Sequence, residues 1–175
     1  DIDVEKFKHS INSLLSDSIY VKNIEKVDND FHSRYNIKEK SYIYKINMGE
    51  YNPFERNYVY QYNKYLDINS IKKATEYLIG THDFKSFTKA SSLKDSYVRT
   101  VYSIDIENKN DILSITFSGN GFLRYMIRNI VGSLIDVGSG KVNPSDIKVI
   151  LDKQNRECAS ITASPNGLYL LDVKY

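Results

Sequence analysis

The stretch GNGFLRYMIRNIVGSLI, residues 119–135, places a fixed positive charge beside an apolar stripe. Phe122, Met126, Ile127, Ile130, Val131 and Leu134 fall at helical spacing and predict one broad apolar face. Arg128 lies near the edge of that face, one turn after Arg124. A guanidinium at such an edge takes a carboxylate or a phosphate, or else a structural carboxylate or a carbonyl. A second group of cations lies in FKSFTKASSLKDSYVRT, 84–100, where Lys85, Lys89, Lys94 and Arg99 face only Asp95. This Ser/Lys-rich stretch of loop character suits phosphates and equally suits a solvated surface. DFHSRY, 30–35, gathers Phe31, His32, Arg34 and Tyr35. It fits a phosphate or base contact, and it fits a loop pinned by its aromatics. Tyr42 and Tyr44 share one face of SYIYKINM, 41–48. Tyr44 reads as a packing residue whose hydroxyl needs a partner.

Other chemistries find less support. His82, Asp83 and Ser86 have the types of a hydrolytic triad, but adjacent side chains seldom aim at one target and triads are defined by geometry. Asp83 reads instead as a cap for the turn FKSF. His9, His32 and His82 lack metal-ligand spacing, and neither HExxH nor CxxC occurs, so no metal is expected. The GNG at 119–121 lacks the third glycine of a dinucleotide loop and reads as a turn. Cys158 is the single cysteine, which excludes an intrachain disulfide and points to a reducing, cytoplasmic compartment. A chain 41% hydrophobic and 26% charged has globular composition. No apolar run approaches the ~18 residues of a membrane span. The net charge of +2 does not itself predict nucleic-acid binding, so only the local clusters argue for it.

The elements that must position these groups follow from periodicity. A helix is expected over about 4–15 with Asp3 as its cap, and a strand with an irregularity over 19–27. Strands are expected at 41–48 and 58–62, and a helix over 69–79 closed by Gly80. A hairpin turns at 108–111, and a long helix starts at the GNG and runs to about 137. A further helix is capped by Asn143, and a last strand spans 168–175. From residue 58 this order is a β-α-β-β-α-β unit, a ferredoxin-like or RRM-like α+β arrangement. Its sheet is mixed but mostly antiparallel, with helices on one face. Residues 1–48 then read as the last helix and strands of an incomplete N-terminal RRM-like half, and 49–175 as the C-terminal half. The first residue is not Met, which suggests a fragment.

Six stretches, in order, resemble the TruA-type tRNA pseudouridine synthases. They are DFHSRY (30–35), KSYIYKI (40–46), YLIGTHDFKSF (77–87), RTVYSI (99–104), GNGFLRYMIRNIVGSL (119–134) and ASITASPNGLYLLDVKY (159–175). They span almost the whole chain, and the helix motif and the GLYL ending are the most specific. The resemblance implies the pseudouridine synthase fold and isomerisation of uridine to pseudouridine in the anticodon stem-loop of tRNA, without cofactor or metal. It implies that an aspartate acts as the glycosidic bond breaks and that uracil rejoins through carbon. Arg128 matches the arginine that pairs with this aspartate, and Tyr42 matches the tyrosine that stacks on the flipped uracil. His32, Arg34, Lys85, Lys89, Arg99 and Arg124 would lie along the tRNA, and the full-length protein would be a homodimer. The family's aspartate motif, G-R-T-D-x-G-V-H-A, does not occur in residues 1–175. By this reading the full-length protein is an enzyme and the present chain alone is inactive. Ser164-Pro165 is a lesser departure, where the family usually has Pro then Ala. A non-catalytic RNA-binding module of the same fold is the alternative.

Overall fold

The computed structural model describes residues 2–89 and 96–175; Lys94 and Asp95 of the basic stretch lie outside the described residues. The chain divides into two compact units, Asp1–Asn36 and Ile37–Tyr175. In the first, α1 (Val4–Leu14) begins at Asp3, whose carboxylate accepts from the backbone N–H of Glu5 and Lys6. The strand expected at 19–27 is not formed: this segment belongs to no ladder. A strand needs a neighbour for its backbone groups. Here the side-chain amide of Asn12 takes that role at one residue, donating to the Val21 carbonyl (2.9 Å) and accepting from its N–H (2.7 Å).

The second unit is a six-stranded sheet carrying helices. Its strands are β1 (Glu39–Asn47), β2 (Tyr60–Gln61), β3 (Gly80–Asp83), β4 (Val98–Lys109), β5 (Ile112–Gly119) and β6 (Leu168–Lys174). β1 is central: it pairs antiparallel with β5 on one edge, and with β6 and the short parallel β2 on the other. The order β6-β1-β5-β4 is that of a ferredoxin-like unit, with β3 added outside β4. The α+β expectation therefore holds, but the unit opens at β1 rather than at 58–62. Tyr60–Gln61 pairs only with Ile46 and Asn47, too short to be the first strand of the motif.

The alternation that predicts the strands also builds the core. Tyr42 faces Phe117, Tyr44 faces Ile115, and Ile46 faces Leu113 across the β1–β5 ladder. Tyr44, Ile46, Leu113, Ile115 and Phe117 are buried beneath α2 (Ile68–Glu76) and α3 (Met126–Gly138). The β4–β5 hairpin turns at Asn110 and Asp111, both at positive φ (51° and 62°), as a two-residue hairpin loop demands.

Three boundaries differ from expectation. α3 begins at Met126, not at the GNG, so Phe122 and Arg124 lie on the approach to the helix rather than on it. Gly80 is left-handed (φ 107°) but opens β3, while α2 ends at Glu76 with Tyr77 as its C-cap. The fourth helix, α4 (Asp146–Asp152), is not capped by the Asn143 side chain. Instead the Asp146 carboxylate accepts the Asn143 backbone N–H at 3.0 Å.

Candidate active site

Arg128 lies in the first turn of α3. That helix is entered through Tyr125, a left-handed residue (φ 68°) with no capping side chain. An L-residue with a side chain pays roughly 1–2 kcal/mol for such a conformation, so packing must hold it there. Two cations lie over the Tyr125 ring, with the Arg128 guanidinium carbon 5.1 Å and the Arg124 one 5.6 Å from its centroid.

The Arg128 Nε donates to the Ala163 carbonyl at 2.7 Å, and the Ala163 N–H donates to the Arg128 carbonyl at 3.0 Å. The partner found within this chain is thus a carbonyl. Among the described residues no carboxylate pairs with Arg128. A guanidinium has five N–H donors in a rigid fork. Anchoring Nε fixes the fork and leaves its terminal nitrogens for an anion.

Arg128 lines a pocket of about 230 Å³ with Tyr42, Phe122, Arg124, Tyr125 and Leu168. Tyr42 is half-buried within β1, its ring edge-on to Phe122 at 5.4 Å. Burial pushes the Tyr42 phenol above its ordinary pKa, so it is neutral at physiological pH. Tyr44 is fully buried and donates its hydroxyl to the Ser164 carbonyl at 2.5 Å. Burial, then the neighbouring Tyr60, push its phenol well up, and Arg128 opposes them.

The pocket thus brings together Tyr42, Arg124 and Arg128. Lys89 is tied to it through the backbone, its N–H donating to the Arg124 carbonyl at 3.2 Å, with the Thr88 hydroxyl on the same oxygen. Lys85 and Lys89 also line a separate hollow of about 360 Å³ with Tyr97. The Arg99 guanidinium folds back onto the Val98 carbonyl at 2.5 Å and the Ser96 carbonyl at 3.3 Å. His32 and Arg34 belong to the first unit. There Tyr35 stacks with the His32 ring at 4.4 Å and under the Arg34 guanidinium at 5.9 Å.

The triad-like residues do not converge. The Ser86 hydroxyl is buried on the Ile150 carbonyl, His82 Nε2 meets the Ile79 carbonyl, and Asp83 accepts the Lys85 N–H. Sequence reasoning missed Phe122 and Tyr125 as pocket walls and Ala163 as the anchor of Arg128. Aromatics at helical spacing look like a helix face. A backbone carbonyl far along the chain has no signature in residue types.

A ferredoxin-like sheet, with an anchored arginine and a half-buried tyrosine in one pocket beside exposed cations, defines an α+β protein equipped to hold an anionic, aromatic ligand. A family model described as tRNA pseudouridine synthase matches residues 74–175. The chain is 45% identical over 171 residues to tRNA pseudouridine synthase A 1 of Bacillus cereus, covering 97% of this chain and 69% of that protein. It is 44% identical over 172 residues to tRNA pseudouridine synthase A 2 of Clostridium tetani, covering 98% and 69%. With tRNA pseudouridine synthase A 2 of Bacillus thuringiensis subsp. konkukian the identity is 43% over 171 residues, covering 97% and 70%. The chain belongs to the tRNA pseudouridine synthase family.

Proposed function

We propose that this chain forms the arginine and tyrosine side of a site that isomerises uridine to pseudouridine in the anticodon stem-loop of tRNA. The carrying observation is the anchored Arg128 in the pocket with Tyr42. In the isomerisation the bond from ribose C1′ to uracil N1 breaks and a bond from C1′ to C5 forms. The C5 proton is lost and N1 gains one, so no oxidant or external group is needed. The base must leave the RNA stack to be reached. Tyr42 offers a neutral ring for it to stack on. Arg128 offers charged donors to the carboxylate that acts at C1′, keeping it ionised and oriented. That carboxylate is assigned to a segment outside residues 1–175, since the G-R-T-D string is absent from them. The unit Asp1–Asn36 is assigned to the end of a preceding RRM-like half, with His32 and Arg34 on the tRNA backbone. The full-length protein is proposed to be a cytoplasmic homodimer. No helix among the described residues is long and apolar enough to cross a membrane.

The test is release of tritium from tRNA labelled at uridine C5, using the full-length protein. Release by the wild type, lowered about a hundredfold by Arg128→Met, is expected, the size being that of losing one preorganised charge-stabilising donor. If the wild type binds tRNA but releases nothing, the chemistry is wrong and the fold serves RNA binding alone.

A further inference from the structure

The segment 159–164, which carries the Ala163 carbonyl, has no regular secondary structure. It is not held by burial of its central apolar residue, since Ile161 is 84% exposed. Besides the buried Ala163, polar groups hold it. One terminal nitrogen of Arg156 donates to the Ala159 carbonyl (3.0 Å). The other donates to the Thr162 hydroxyl and to Asn129 Oδ1, each at 3.1 Å. The Thr162 hydroxyl donates to the same Asn129 oxygen at 2.6 Å, and the Asn129 amide donates to the Phe87 carbonyl at 2.7 Å. Asn129 is 1% exposed, so its amide has no water to fall back on. Ser160 N–H reaches the Ser133 hydroxyl at 3.3 Å. Gly132 lets the Ile161 carbonyl lie where a side chain would be, 1.9 Å from an added Cβ.

The placement of this network is what matters for chemistry. Asn129 follows Arg128 directly, and Thr162 precedes Ala163 directly. Arg128 and Ala163 are the pair that hydrogen-bond each other in both directions. Each member of that pair therefore has its chain neighbour locked in the same knot. We propose that Arg156, Asn129 and Thr162 are positioning residues for the isomerisation: their knot fixes the Ala163 carbonyl, and through it the direction of the Arg128 guanidinium. The proposal rests on the functional reading above. None of the three lines the Tyr42 pocket, and of them only Arg156 lines the hollow of Lys85 and Lys89, so the effect of Asn129 and Thr162 on the pocket is transmitted and not direct. Displacements of about 1 Å at a reacting group can cost on the order of a hundredfold in rate.

The experiment uses the full-length protein with Thr162→Val, which keeps the shape and removes the hydroxyl, and Thr162→Ser, which restores it. Thr162→Val is expected to lower kcat about tenfold, with tRNA affinity unchanged and a cooperative melt retained, and Thr162→Ser to recover most of the loss. In an Arg128→Met background Thr162→Val is expected to add nothing, because the group it positions is gone. Equal losses in both backgrounds, or no loss in either, overturn the proposal. If the wild type itself releases no tritium, the functional reading fails, and the knot is judged by the Arg128 Nε–H proton signal. A protected signal lost in Thr162→Val supports positioning, and an identical signal in both proteins overturns it. The same signal decides the matter if Thr162→Val melts too early for kinetics.

Discussion

At the scale of single residues, the pocket separates two side chains that look alike in sequence. Tyr42 and Tyr44 are two positions apart on one strand face, yet Tyr42 lines the pocket and Tyr44 is sealed beneath it. Tyr42→Ala in the full-length protein should lower turnover far more than tRNA affinity, since it removes the surface on which the base stacks but no phosphate contact. Equal losses in kcat and Kd would make it a scaffold residue. Tyr44→Phe keeps the ring and loses the hydrogen bond to Ser164, which should cost about 1 kcal/mol of stability, measured by urea unfolding. The raised phenols of Tyr42 and Tyr44 also set an alkaline limit. A folded-state pKa above the unfolded value near 10 means the native state keeps protons that the unfolded chain has lost. Stability from these groups is therefore complete below pH ~10 and falls as pH rises beyond it. Urea melts across that range should show the midpoint dropping for the wild type and less steeply for Tyr44→Phe; parallel curves would contradict the burial argument.

At the scale of elements, the site is made where α3 meets the irregular segment before β6, and Gly132 is the point of closest approach. Gly132→Ala would bring a methyl group against the Ile161 carbonyl, a backbone atom with little freedom to give. The helix gains propensity from alanine, but overpacking typically costs about 1–3 kcal/mol, and the segment carrying Ala163 must shift. The expected outcome is a lower urea midpoint together with lower turnover; a variant that melts and turns over like the wild type would mean the segment is not seated on the helix. None of this seating was legible in the sequence. What was legible depended on local period. The alternation of Ile104 and Ile106 against Ile115 and Phe117 marks the hairpin, and the apolar spacing of Ile71, Ala74 and Leu78 marks α2. What failed depended on distant partners. Residues 19–27 have strand-like composition without a neighbouring strand, and β3 was invisible because GTHD is short and polar. The pairing of β1 with β5 and β6 lies far along the chain and has no local signature. The site followed the same division: Arg128 and Tyr42 sit in motifs whose family resemblance can be recognised, whereas the Ala163 carbonyl and the left-handed Tyr125 are products of the assembled fold.

At the scale of the whole molecule, a net charge of +2 is too small to draw a polyanion by itself, so tRNA binding must come from where the cations lie. In the unit Ile37–Tyr175, Lys85, Lys89 and Arg124 are exposed around the two pockets. Each phosphate neutralised releases counterions and contributes about 0.7–0.9 to the slope of log affinity against log salt. Lys85→Ala and Lys89→Ala should each weaken binding across all tRNA sequences and reduce that slope by about one. Arg99 differs, because its guanidinium is already folded onto the carbonyls of Val98 and Ser96. A group so engaged must break those bonds before it can meet a phosphate, so Arg99→Ala should change the slope less than either lysine. Titration of full-length protein with tRNA over a series of salt concentrations ranks the three. A slope unmoved by both lysine variants would make the basic stretch a solvated surface, and would place the electrostatic contact on Arg124 and on the turn that carries His32 and Arg34. An Arg99 effect as large as theirs would mean that its hold on its own backbone opens in the complex.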